Sequence, residues 1–281
     1  MKRILKTVQI FIMIIVIGVM TGCTGEAGSQ KNEEPKRIVS LAPSITELIY
    51  ALGKGDALVG RTDYCDYPEE VKQVPSIGSL IEPSVEKIVE LDADVVIATA
   101  NFKVDIHEKL ENLGIEVVIL YDAVDLEGAF ESIATLGEVL NAKEEANNLI
   151  TEMKAKIAEV QEKVKDAQKP KVYYVVDFGK NGDFTATGDT FLGQMLELAG
   201  GDNIAKDATG WQYSLEKIIE NDPDIIFISQ YFGLKEQFVE TSGYKELSAV
   251  KNGKVIEIDD NLIVRQGPRI AEGIESLAKA M

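Results

Sequence analysis

Residues 84–97 read SVEKIVELDADVVI, and residues 214–227 read SLEKIIENDPDIIF. Seven of the 14 paired positions are identical, and most of the others exchange one apolar residue for another. The copies lie 130 residues apart, near half of the 281-residue chain. Each reads as a short helix that passes through an acidic turn into an apolar strand. A period this long marks a duplicated domain rather than a solenoid. Two like αβ units imply two similar lobes, with a cleft between them. Both copies carry a carboxylate two residues after a serine, Glu86 after Ser84 and Glu216 after Ser214. The serines suit helix N-caps, and a glutamate in the first turn gains about 0.3–1 kcal/mol from the helix dipole.

The flanking sequence alternates in the same way. RIVSL precedes SITELIYALG, VVIATA follows VEKIVELD, and HEKLENLG precedes VVILYD. The second half runs KVYYVV, FLGQMLELAGG, LEKIIENDP and IIFISQ, then VIEID and a last helix over about 270–281. Strands alternating with helices predict parallel sheets in an α/β fold. Between the halves lie residues 141–169, which hold no glycine or proline. There Ala146, Leu149, Met153, Ile157, Val160 and Val164 recur at steps of three and four, the pattern of one amphipathic helix. The expected fold is therefore α/β, with two similar lobes over 37–140 and 170–281 joined by one long rigid α-helix over 141–169. A single rod packed on both lobes predicts little movement between them.

The N-terminus reads as an address. Lys2, Arg3 and Lys6 precede an apolar run over residues 10–19, and Met20-Thr21-Gly22-Cys23 follows. A short apolar run ending in small residues predicts a secretory signal and is short for a membrane span. Cys23 after Thr21-Gly22 resembles a bacterial lipobox, in which cleavage leaves the cysteine lipidated at the new N-terminus. Residues 1–22 are thus expected to be a lipoprotein signal peptide, and residues 23–36, nearly devoid of apolar side chains, a flexible tether. This places the folded part outside the cytoplasm, anchored to the cell membrane through Cys23.

Composition narrows the function further. The chain is 45% hydrophobic and 7% aromatic, as folded domains are. Its net charge is −18, and without the three basic residues of the first 22 it becomes −21. Such a surface repels phosphate backbones, so no nucleic-acid partner is expected. With Cys23 acylated, Cys65 has no disulfide partner. The one histidine, His107, reads as an exposed helical residue, and the sequence supports no metal or cofactor site built from histidine and cysteine. No G-x-S-x-G, G-x-x-x-x-G-K-[ST] or G-x-G-x-x-G occurs. Asp183, Asp189 and Asp202 stand beside glycines as turn residues do. None of these features is an enzyme's, so no catalytic role is expected. A tethered receptor that signals is one alternative class.

The segments 37–53, 60–71 (GRTDYCDYPEEV), 85–98, 183–205, 211–229 and 265–270 (RQGPRI) together resemble the substrate-binding proteins of bacterial ABC importers with a single-helix hinge. That resemblance spans nearly all of 37–281. It implies a monomer that captures a ferric siderophore, cobalamin or haem and delivers it to a permease dimer with its ATPase subunits. It also implies that Glu86 and Glu216, one per lobe, dock on arginines of the two permease subunits.

Only five of the 29 basic residues are arginine. Arg61 follows a predicted strand, and Arg265 and Arg269 stand in the loop before the last helix. Loops at strand ends line the clefts of α/β lobes, and guanidinium groups suit carboxylate and amide oxygens. These three are candidate ligand contacts. Tyr64, Phe178 and the sole tryptophan, Trp211, match aromatic positions of the resembled family and would supply flat walls. Further aromatics found in cobalamin binders near 78–81 and at Thr99 are absent here. The arginines and this departure put an anionic ferric chelate first, cobalamin second and haem behind.

Overall fold

The computed structural model describes residues 36–281 except Asn101 and Asn181. The signal, Cys23 and the tether apart from Lys36 lie outside the described residues. Lys36–Met281 form one compact unit.

Two four-stranded parallel sheets organise it. The first comprises β1 (Ile38–Ser40), β2 (Leu58–Arg61), β3 (Val95–Thr99) and β4 (Glu116–Leu120), in the order β2-β1-β3-β4. The second comprises β5 (Lys171–Val175), β6 (Asp202–Asn203), β7 (Ile225–Ser229) and β8 (Val255–Ile258), in the order β6-β5-β7-β8. All pairings are parallel, and the two orders are the same once the numbering is shifted by four. The α/β architecture expected from the repeat is the one observed.

The repeat holds down to single hydrogen bonds. The helices Val85–Glu90 and Leu215–Asn221 each start at a serine whose hydroxyl accepts from the backbone N–H three residues on, at 3.3 Å from Lys87 and 3.5 Å from Lys217. In both helices one residue of the first five is buried, Ile88 and Ile218. Each copy then turns on an aspartate with positive φ, 45° at Asp92 and 42° at Asp222. A short polar side chain tolerates this left-handed geometry. Two residues later, Asp94 accepts from the backbone N–H of Arg37 at 2.6 Å, and Asp224 from that of Lys171 at 2.8 Å. The aspartate thereby ties the entry of the third strand of each sheet to the entry of the first.

Strand alternation sorts the apolar residues into three cores. Val95 and Ile97 of β3 point inward, as do Ile225 and Phe227 of β7, and they share one core with Met153, Ile157 and Val160. Val96 and Ile88 pack on the outer side of the first sheet, and Ile226 and Ile218 on that of the second. The three residues of the shared core belong to the helix Lys143–Val164, 22 residues long, which at 1.5 Å per residue is about 33 Å. It is shorter at both ends than the 141–169 stretch. Ala142 keeps a non-helical conformation before it, and the chain turns beyond Val164 toward Pro170. One continuous core through both sheets and this helix leaves no seam at which the halves separate freely.

Candidate functional site

In a parallel α/β sheet the loops beyond the strand C-termini form the binding crevice. Here those loops enclose a cavity of about 720 Å³. Its walls come largely from the second half: Tyr174 on β5, and Asp189, Trp211, Phe232, Asp260 and Val264 beyond the strands, among others. The first half contributes Asp122, Ala123 and Val124, which follow β4. Gln266 closes one end, exchanging two hydrogen bonds with the Ala123 backbone at 2.7 and 2.8 Å.

Local structure explains how the aromatic wall is held. Trp211 follows Gly210, and both have positive φ, 68° and 76°. The Trp211 N–H donates to Thr187 Oγ1 at 3.2 Å, and its carbonyl accepts from the Thr185 N–H at 2.8 Å. Asp189 braces the same turn by accepting from the Gly210 N–H at 3.0 Å and the Thr187 hydroxyl at 2.6 Å. Those two bonds hold the Asp189 carboxyl below its ordinary pKa. Its expected turn role is thus joined to a place on the cavity wall.

The cavity is acidic as well as apolar. Burial raises the pKa of Asp122. Burial also raises that of Asp260, opposed by hydrogen bonds from the hydroxyls of Ser229 and Tyr174. The Tyr174 hydroxyl donates to Asp260 at 3.0 Å, and burial together with that carboxylate pushes its own pKa up, so it stays protonated. Among the described residues, no lysine, arginine or histidine lines this cavity.

Of the six proposed ligand contacts, only Trp211 lies on this wall. None of the three arginines expected to contact ligand lines this cavity. Arg61 donates from Nε to the Val71 carbonyl at 2.9 Å and from Nη1 to the Thr62 carbonyl at 2.9 Å, which shapes its own loop. Arg265 is bound to Glu47 at 2.9 Å and to Asp66 at 2.7 Å. Arg269 reaches the same Glu47 at 2.6 and 2.8 Å and stacks on the Tyr67 ring, 4.1 Å from its centroid. The Glu47 side chain is only 1% exposed. A carboxylate this deep needs paired charge, and the two arginines supply it. Glu47 stands on the helix Pro43–Ala51 of the first half, so this cluster joins the two halves. Arg269 lines a second, smaller cavity of about 440 Å³ against the long helix, with Glu47, Tyr67, Met153 and Lys156.

The other aromatics also part company. Phe178 packs edge-on against Phe238 and Tyr244, with centroids 5.1 and 5.5 Å apart. Tyr64 is 62% exposed and does not line the cavity. Glu86 and Glu216 are exposed in the first turns of their helices, and neither forms a salt bridge among the described residues. Cys65 is a free, buried thiol that receives the Thr46 hydroxyl at 3.1 Å. His107 is half-buried rather than exposed, because it leans on Glu111 at 3.2 Å and near the Phe102 ring.

Sequence reasoning missed Phe232, Asp122, Asp260 and Glu47. Asp122 and Phe232 each follow an apolar strand within a few residues, so position at a strand's C-terminal end was the available signal. Nothing local marks Glu47, whose partners lie 218 and 222 residues away.

Comparison with known proteins agrees with this fold. Residues 38–262 match the periplasmic binding protein family. An uncharacterized ABC transporter substrate-binding lipoprotein of Bacillus subtilis, YvrC, is 38% identical over 256 residues, covering 89% of this chain and 81% of that one. A cobalamin-binding protein of Halobacterium salinarum is 30% identical over 262 residues, covering 89% and 70%. Among solved structures, a possible iron-binding (periplasmic solute-binding) protein of Staphylococcus epidermidis superposes with a TM-score of 0.79 at 28% identity, covering 88% of this chain and 99% of that one. The chain belongs to the periplasmic binding protein family, as an ABC transporter substrate-binding protein and not an enzyme.

Proposed function

We propose that this substrate-binding protein captures a cobalamin-type corrinoid and hands it to an ABC permease. One observation carries the choice: the cavity is walled by Trp211, Phe232, Val124 and Val264, holds the carboxyl groups of Asp122, Asp189 and Asp260, and has no cationic side chain among its described lining residues. A corrin offers a broad apolar face to the aromatic wall. Its rim of primary amides donates N–H groups that suit carboxylate acceptors, and the cobalt–ring unit is cationic. An anionic ferric chelate or the two carboxylates of haem would instead face uncompensated like charge. A haem iron bound through Tyr174 would require the phenolate, which burial and Asp260 disfavour. The volume of about 720 Å³ is within the usual range for small-ligand sites.

A ferric siderophore, which the sequence put first, moves to second place and stays there because of the arginine cluster. Such a ligand could use Arg265 and Arg269 only by displacing Glu47. The remaining parts of the reading follow from the sequence. Cys23 carries the lipid, 23–36 is the leash, and the halves 37–140 and 170–281 flank the helix as two lobes. The monomer docks through Glu86 and Glu216 on the two permease subunits. Tyr64 and Phe178 serve at most as outer supports of the site.

Trp211 is the only tryptophan, so its fluorescence reports on the cavity directly. Titration with cyanocobalamin is expected to quench it saturably, while hemin and ferric hydroxamates or catecholates leave it unsaturated. Saturation by a ferric catecholate and none by cyanocobalamin would overturn the corrinoid reading.

A further inference from the structure

Two large aromatic residues of this chain hold a backbone conformation that bulky side chains avoid. Trp211 has φ 68° and Phe232 has φ 65°. Among the described residues, the other non-glycine residues with positive φ are Asp92, Asn141 and Asp222, the residue types that tolerate it. Each aromatic is beside a glycine that is itself left-handed, Gly210 before Trp211 and Gly233 after Phe232. Both line the same cavity. Phe232 is also 89% exposed, the highest value among the described large hydrophobic residues. Among the described aromatic rings, its ring pairs only with that of Tyr231, at 6.3 Å between centroids, and the Tyr231 hydroxyl is fixed by Asp259 at 2.9 Å and Asn261 at 2.8 Å. An exposed ring contributes little to folding, and a strained backbone costs stability. Neither is explained by the fold. Strain of this kind gathers at ligand clamps, where the bound state uses what the free state holds ready.

We propose that Phe232 is a ligand clamp, the movable counterpart of the braced Trp211, and that it folds onto the flat face of a macrocyclic ligand held in the cavity. The two residues differ in the way such a pair requires. Trp211 is 40% exposed and tied at both its N–H and its carbonyl, so it is the fixed wall. Phe232 has open space around its ring and a glycine as its hinge. Covering the ligand would remove apolar area of both partners from water, which the free protein leaves exposed. The ligand class that repays this is one with an extended ring face, not a compact or branched polar solute. The inference rests on the corrinoid reading only for the identity of that ring.

The test replaces the ring without disturbing the turn. Asparagine tolerates left-handed φ, so Phe232→Asn keeps the backbone and removes the clamp. In the full chain, F232N is expected to weaken cyanocobalamin binding by about tenfold by calorimetry. Its thermal midpoint should be equal to or above that of the unaltered protein, and F232W should restore binding to within about threefold. Unchanged affinity in F232N, or a fall in its thermal midpoint that F232W does not share, would overturn the clamp. Should the unaltered protein bind hemin in place of cyanocobalamin, the corrinoid reading falls. The same two variants titrated with hemin then decide the clamp by the same criteria.

Discussion

The two halves of this molecule share a scaffold and divide the labour. Sheet order, helix caps, left-handed aspartates and the aspartate tie between first and third strands recur in both. The cavity draws on them unequally. Its aromatic and acidic walls come mostly from the second half, while the first half supplies Asp122, Ala123 and Val124 and, elsewhere, the buried anchor Glu47. Duplicated parts carry what both halves need, namely folding and a matched exterior. Loops that differ between the halves carry what only one site needs. Surface loops diverge at low cost because they are not constrained by the core.

The largest expected effect breaks the join between the halves. Glu47→Ala leaves Arg265 and Arg269 without their buried partner, and should cost about 3–5 kcal/mol in urea denaturation. A loss under about 1 kcal/mol would mean that the halves are held by the shared core alone.

Next comes the wall that only the second half possesses. Trp211→Ala should weaken cyanocobalamin binding by more than about tenfold in calorimetry, with the unfolding midpoint little altered. Equal affinity would remove Trp211 from the site.

The acidic side of the cavity predicts a pH dependence. Asp122 and Asp260 have raised pKa values in the folded protein, so they take up protons above the ordinary carboxylate value of about 4. Protonation removes an acceptor of amide N–H groups. Corrinoid affinity should therefore be full at neutral pH and decline as acidification passes through these raised values. D122N/D260N should lose this decline. As to stability, burial of the two charged carboxylates is a cost at neutral pH that is relieved, not increased, on acidification through the same range. A ligand affinity that rises on acidification would contradict their role as acceptors.

The smallest effect separates the two copies of one turn. Asp92 makes no side-chain hydrogen bond among the described residues. Asp222 accepts from the Ser248 N–H at 2.8 Å and its hydroxyl at 2.6 Å. Asp92→Gly should relieve the left-handed strain and gain about 0.5 kcal/mol. Asp222→Gly should lose about 1 kcal/mol net, because its two bonds outweigh the same relief. Chemical denaturation of both variants checks the difference in sign.

Much of this architecture was legible in the chain. The repeat at 84–97 and 214–227 fixes a helix, an acidic turn and a strand by local rules, and those rules act alike in both copies. The amphipathic spacing from Ala146 to Val164 fixes the long helix for the same reason. Only its ends were misplaced, since polar residues such as Lys165 and Gln168 continue a helical composition without a packing face to hold it. The site was harder to read. Trp211 was visible because a tryptophan between glycine and a polar residue in a loop is unusual. Scarcity and loop position drew attention to Arg265 and Arg269 but say nothing of partners 199–222 residues away. Glu47 lies within the apolar-looking SITELIYALG, and only the folded chain brings it to Arg265 and Arg269. Phe232 was hidden because a phenylalanine after an apolar strand reads as part of the core.

The most direct test of the account is a crystal structure of the protein soaked with cyanocobalamin. The account predicts the corrin against Trp211, its amides within hydrogen-bond distance of Asp122 or Asp260, and the Glu47 pairs with Arg265 and Arg269 intact. A ligand seated on Arg265 and Arg269 with Glu47 displaced, and the apolar wall left bare, would contradict it.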